Sequence, residues 1–133
     1  MKKILLLIIF STLLAASCAK HISDKPKVLH YTDNGQEVSV FIGQNIDINL
    51  IENSSEGKVW GISPYTTTII GFISSKFQPD EKIKGAGGYR IIRFRALRIG
   101  ESKLKITYYK TQKAEVTPIK EFKITVKVVH DKK

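Results

Sequence analysis

Ile46-Asp47-Ile48-Asn49-Leu50-Ile51-Glu52-Asn53-Ser54-Ser55-Glu56-Gly57-Lys58-Val59-Trp60 is the stretch on which the fold turns. In its first half Ile46, Ile48 and Leu50 alternate with Asp47 and Asn49, the period-two signature of a strand with one buried face. The alternation stops at Asn53, where Asn, Ser and Gly follow one another. Asn and Ser side chains hydrogen-bond their own backbone, and Gly accepts positive φ without a Cβ penalty, so this is a turn with a physical cause. Trp60 is the only tryptophan in the chain. Its large apolar area marks it as the anchor that returns the chain to the core. Taken alone, such a loop most often does nothing beyond joining two strands of a hairpin.

Working outward, the same alternation recurs on both sides with no convincing helical period. Lys27 to Thr32 reads as a first strand closed by the turn signal Asp33-Asn34-Gly35. Val38, Val40 and Ile42 read as a second, and Val59 to Ile62 as a short strand broken by Ser63-Pro64. Thr67 to Ile73 runs on with β-branched residues, and Lys76 to Gly88 is a long polar connection containing Pro79 and three glycines. Ile92, Phe94 and Ala96 share one face opposite Arg93 and Arg95. Leu104, Ile106 and Tyr108 share another opposite Lys103 and Lys105, and Lys110 to Pro118 is a polar loop. Phe122, Ile124, Val126 and Val128 alternate with Lys123, Thr125 and Lys127. About seven to eight strands with turns about every ten residues define an all-β fold, an immunoglobulin-like antiparallel β-sandwich. The expected core is Val40, Ile48, Leu50, Trp60, Ile92, Phe94, Leu104, Ile106, Phe122, Ile124 and Val126. Arg93, Arg95, Lys103, Lys105, Lys123 and Lys127 then face solvent, and they form one basic face if their strands are neighbours.

The first residues are of another kind. Met1-Lys2-Lys3, an apolar run from Ile4 to Ala16 and small residues at its end read as a signal peptide over residues 1–17. The run is too short for a spanning helix of about 20 residues. It closes on Cys18, the only cysteine, and the arrangement resembles a bacterial lipobox, with Ala15 where that pattern prefers Leu. Residues 18–27 are then a lipidated cysteine and a polar tether, residues 28–133 one domain, and the expected location is the bacterial cell envelope, lipid-anchored through Cys18 and periplasmic or surface-exposed; the alternative is an ordinary signal peptide cleaved nearby, which leaves a free thiol on a secreted domain. A single cysteine excludes an intramolecular disulfide, so the domain rests on its hydrophobic core. The 133-residue chain carries a formal charge of +10, two units of it from Lys2 and Lys3. This permits attraction to nucleic acid, anionic membrane or an acidic protein without choosing among them.

Converging catalytic groups are not found. His21, His30 and His130 lie near the two ends without metal-ligand spacing. Cys18 has no histidine to activate it, and Asp80-Glu81 is a surface pair in a loop. The chain reads as a binding module rather than an enzyme, needing neither cofactor nor metal and able to work as a monomer. Three loops carry the interest: Asn53 to Lys58, the one ending Gly85-Ala86-Gly87-Gly88, and Tyr109 to Lys113. Three near-consecutive glycines weaken a strand and make sense where backbone must approach another surface closely.

Asn-x-Ser-x-Gly-x-x-Trp, then Gly-Ala-Gly-Gly about 25 residues on, then a Leu-x-Ile-Thr-Tyr strand entering a third loop, together resemble the chagasin family. These are small immunoglobulin-like inhibitors of papain-like cysteine peptidases. Their loops carry the patterns N-P-T-T-G-aromatic-x-W, G-x-G-G and R-P-W/F, and the resemblance spans about residues 28 to 129. Asn53, Ser55, Gly57 and Trp60 match the first motif, while Ser54, Glu56 and Lys58 stand for Pro, Thr and the aromatic. Gly85, Gly87 and Gly88 match the second, around Ala86. Lys110 holds the place of Arg, with Thr111 and Gln112 in place of Pro and the aromatic. The resemblance implies reversible, non-covalent blockade: the first loop enters the peptidase cleft over its catalytic cysteine, and the other two clasp the cleft walls. Two alternatives use the same domain differently. One is an immunoglobulin-like envelope adhesion or assembly module without inhibitory activity, and the other a polyanion- or membrane-surface-binding domain using the basic face.

Overall fold

The computed structural model describes residues 25–83, 85, 87–111 and 118–131. Eight strands run in chain order: β1 Lys27–His30, β2 Glu37–Phe41, β3 Asn45–Glu52, β4 Lys58–Ile62, β5 Ile70–Pro79, β6 Gly88–Ala96, β7 Gly100–Lys110 and β8 Pro118–Val129. They form two four-stranded sheets, in the orders β1-β3-β6-β5 and β2-β8-β7-β4. Each central strand points alternate side chains into the space between the sheets, as the pleat requires. Ile46, Ile48, Leu50, Ile92 and Phe94 enter from the first sheet, and Leu104, Ile106, Phe122, Ile124 and Val126 from the second; all are buried. Fully burying one such side chain stabilises the fold by about 1.5–3 kcal/mol. The eleven residues expected in the core are all there. Leu29, Val38, Ile46, Ile70, Ala96, Tyr108 and Val128 join them.

The sandwich is mixed rather than wholly antiparallel. β1 pairs β3 in parallel, and β2 pairs β8 in parallel. The reason lies in the connection between β1 and β2, which crosses from one sheet to the other through a 3-10 turn at Tyr31–Asp33. Each edge strand therefore meets a partner remote in sequence, and alternation alone carries no information on relative direction.

Two connections differ from expectation. Residues 67–69 form a turn, and β5 begins at Ile70 and continues through Lys76, Phe77, Gln78 and Pro79. The first four residues of the segment read as a long polar connection, Lys76 to Pro79, are thus strand. Phe77 pairs Arg90 and Gln78 pairs Tyr89, with a bulge between Phe72 and Ser74 that resets which side chains face inward. Pro79 is tolerated because β5 is an edge strand and the proline sits at its end. The basic face also divides. Arg93 and Arg95 lie on β6 in the first sheet, while Lys103, Lys105, Lys123 and Lys127 lie on β7 and β8 in the second. Arg93 is held by Asp47 at 2.7 and 2.8 Å and Arg95 by Asn45 at 3.1 Å. Charges on opposite faces of a sandwich do not make one polyanion surface.

Candidate functional site

One end of the sandwich gathers the loops. The β3–β4, β5–β6 and β7–β8 connections and the 3-10 turn after β1 all emerge there, because the strands leading to them run in the same direction. Residue 25 is at the other end, where its carbonyl accepts a hydrogen bond from Gln44 Nε2 at 3.2 Å.

The β3–β4 connection is not a hairpin. β3 belongs to the first sheet and β4 to the edge of the second, so residues 53–57 bridge the end of the sandwich. Its base is held at four points. Asn53 N–H donates to the Tyr108 hydroxyl at 3.0 Å, and Trp60 Nε1–H donates to the Ile51 carbonyl at 2.8 Å. Trp60 N–H donates to Glu52 Oε2 at 3.2 Å. Glu52 itself takes a forked pair of hydrogen bonds from Arg90, Nε at 3.1 Å and Nη2 at 2.5 Å. The Trp60 indole, 8% exposed, stacks on Tyr108 with centroids 4.7 Å apart, which is the anchoring role expected of it. Above this base Ser54–Glu56 form a 3-10 turn, closed by Glu56 N–H to the Asn53 carbonyl at 3.3 Å.

The loop is joined to both of its neighbours. The Ser55 hydroxyl lies 2.7 Å from Asn53 Oδ1 and 2.7 Å from the Gly85 carbonyl. Its single proton serves one of the two acceptors at a time. On the other side the Gly57 carbonyl accepts from Thr111 N–H at 2.9 Å and from Thr111 Oγ1 at 3.0 Å. Gly57 has φ of +69° and Gly85 +76°, the left-handed region where glycine carries no penalty. A Cβ on Gly85 would sit 3.1 Å from Asn53 Nδ2.

Gly87 and Gly88 are buried rather than offered to solvent. A Cβ on Gly87 would strike the Ile83 side chain, and one on Gly88 would strike the Gln78 carbonyl. Their small size has an internal reason as well: they allow β5, β6 and the connection between them to close tightly under the loop. Asp80 N–H donates to the Gly87 carbonyl at 3.1 Å, and the Asp80 carboxylate accepts from Lys82 N–H at 2.9 Å. Asp80 thus shapes the turn.

Electrostatically the loop end is mixed. Lys58 and Lys110 are direct partners across β4 and β7, a like-charge pairing. Glu56 relieves it by binding Lys58 Nζ at 2.5 Å. That hydrogen bond, reinforced by the Lys58 charge and more weakly by Lys110, holds the Glu56 carboxyl below the usual glutamate range and raises Lys58. Ala86, Gln112 and Cys18 lie outside the described residues.

Reading the sequence missed Glu52 and Arg90. Glu52 sits at an inward position of β3, between Leu50 and the loop, and Arg90 at an inward position of β6. A carboxylate and a guanidinium on the buried faces of two strands was the available signal.

Among the described residues no three His, Cys, Asp or Glu side chains gather as they would around a metal ion. A sandwich that presents three interlinked loops at one end belongs to the loop-presenting binding domains. The family model described as chagasin family peptidase inhibitor I42 matches residues 39–126, and the chain belongs to that family, whose members are inhibitors and not enzymes. Comparison with curated proteins found no match. Among solved structures, the cysteine protease inhibitor EhICP2 from Entamoeba histolytica is similar at a TM-score of 0.68 and 18% identity, over 77% of this chain and 94% of that one. The solution structure of Amebosin is similar at 0.62 and 21%, over 79% and 99%. PbICP-C, solved in complex with falcipain-2, is similar at 0.54 and 14%, over 81% and 94%. At these identities the likeness is one of fold.

Proposed function

We propose that the chain is a reversible, non-covalent inhibitor of papain-like cysteine peptidases, acting through its three linked loops. The observation that carries the reading is the pair of links across the loop end, Ser55 to Gly85 and Gly57 to Thr111, in a member of a peptidase-inhibitor family. A loop fixed from both sides has already lost the freedom that a free peptide would lose on binding, so more of the contact energy appears as affinity. Asn53, Ser54, Ser55, Glu56 and Gly57 would occupy the cleft. Gly85, Ala86, Gly87 and Gly88 would flank it on one side, and Lys110, Thr111 and Gln112 on the other. No acyl transfer to the inhibitor is required, since steric exclusion of substrate suffices.

We further propose that Cys18 carries the lipid and that residues 18–27 tether the domain to the cell envelope. In support, the chain enters the sandwich at the end away from the loops. A membrane-held domain would then present its loops outward.

The test is a titration of the domain from Ala19 onward against papain and against a bacterial papain-like peptidase. Stoichiometric, reversible inhibition that is lost with Gly85→Arg is the expected result. A folded domain that leaves both peptidases fully active refutes the reading and favours the adhesion or assembly module.

A further inference from the structure

Glu52 has a fully buried side chain at the junction of two loops. It immediately precedes Asn53, and its register partner on β6 is Gly88, the last residue of the glycine motif. Arg90 stands two residues beyond Gly88 and is 22% exposed. Its guanidinium lies 5.6 Å from the centroid of the Phe77 ring on β5 while forking onto the Glu52 carboxylate. The same carboxylate accepts from Trp60 N–H on β4. One buried side chain thus touches the start and the end of the first loop and, through Arg90, both strands that carry the glycine loop.

A buried ion pair is a poor device for stability, because desolvating the two charges offsets most of their attraction. An apolar pair would fill the same space at little cost. What an apolar pair lacks is direction: a forked guanidinium–carboxylate contact fixes distance and angle together.

We infer that Glu52 and Arg90 are positioning residues, which set the first loop and the glycine loop relative to each other so that both meet one partner. This rests on the inhibitor reading for its purpose, but its physical content is testable on the free protein. In the double variant Glu52→Gln/Arg90→Met, Gln keeps an acceptor for Trp60 N–H and Met keeps an apolar contact with Phe77. The forked link is removed, and the buried amide nitrogen that Gln brings finds no acceptor among the partners of Glu52, a cost that Arg90→Lys alone does not carry.

Amide hydrogen exchange on the domain from Ala19 onward is the primary readout, with inhibition of papain as the second. The double variant should exchange faster by about tenfold at the hydrogen-bonded amides of the two loops, Asn53 and Glu56 in the first and Asp80 and Ile83 in the glycine loop, a change equivalent to about 1.4 kcal/mol of local opening. Amides of Ile48, Ile106 and Ile124 should be unchanged, and inhibition should weaken by about tenfold or more if the loops bind as one unit. Arg90→Lys keeps the charge and loses the fork, so it should raise loop exchange alone and remain usable if the double variant fails to fold. Loop amides unchanged in either folded variant, or faster exchange spread evenly over core and loops, would overturn the inference. If the unaltered domain does not inhibit papain, the inhibitor reading fails while the exchange result still decides the positioning role.

Discussion

Replacing Gly88 by Ala adds one methyl group where β5 and β6 close beneath the glycine loop. The new Cβ would fall on the carbonyl of Gln78 and 2.9 Å from Cζ of Phe77. Rotating a side chain relieves only the second contact, because the first is with backbone. β5 must therefore move away from β6 at the Pro79–Gly88 pairing. Overpacking of this kind costs about 1–3 kcal/mol. Reduced freedom of the unfolded chain returns about 0.4–1 kcal/mol, leaving a net loss centred on about 1.3 kcal/mol. For a domain of about 100 residues that lowers the unfolding midpoint by about 5–10 °C. The assay is thermal unfolding followed by fluorescence of Trp60, which is buried and stacked and so reports the folded state. Gly35→Ala is the matched control: it has φ of +84° with nothing within 4 Å of its Cβ, so it is strained without being crowded. It should cost about 1–2 kcal/mol and leave papain inhibition intact, whereas Gly88→Ala should weaken inhibition as well. A Gly88→Ala protein with the parent's midpoint and the parent's inhibition would refute the close-packing argument.

Tyr108→Phe removes the acceptor of Asn53 N–H and should destabilise by about 0.5–1.5 kcal/mol, with the exchange of that amide rising more than its neighbours' in a hydrogen-exchange measurement. An NMR pH titration should place the Glu56 midpoint below that of an ordinary glutamate, and Lys58→Met should return it toward the usual range. The sign follows from the lowered folded value: the Glu56–Lys58 contribution is present above the unfolded glutamate pKa and is lost as pH falls through the folded one. The pair lies at the surface, with Glu56 exposed and Lys58 half-buried, so the change is read in the titration and not in the unfolding midpoint. Phe122→Ala should cost about 3–5 kcal/mol, a large fraction of an ordinary domain's stability, and circular dichroism should show a clearly lowered unfolding midpoint. Arg93→Gln with Arg95→Gln should change inhibition by less than about twofold at any salt concentration, since both lie on the outer face of the first sheet away from the loops.

Much of the site was legible as chemistry but not as geometry. Asn53, Ser55 and Gly57 announced a turn because their local preferences do not depend on the rest of the chain, and a turn is there. That the turn crosses between sheets depends on which strands pair, and nothing near residue 53 records it. Gly87 and Gly88 showed a need for small residues. Only the neighbouring strand showed that the need is internal, set by Ile83 and Gln78. Thr111 stood out as a departure from a motif, yet its backbone and hydroxyl both bind the Gly57 carbonyl. A residue type does not disclose such a partner 54 positions away.

The sequence by itself determined the class of fold and the content of the core. Period-two alternation of Ile, Leu, Val and Phe leaves one way to remove those side chains from water, between two sheets, and the eleven residues so identified are buried. It also supplied three loops with recognisable composition. The tertiary structure alone decided the parallel edge pairings, the division of the basic residues between two faces, and the junction of Glu52, Trp60 and Arg90 beneath the loops. The physical reason is range. Propensity and periodicity act over a few neighbouring residues, whereas the parallel edge pairings and the buried ion pair join positions separated by 19 residues or more along the chain.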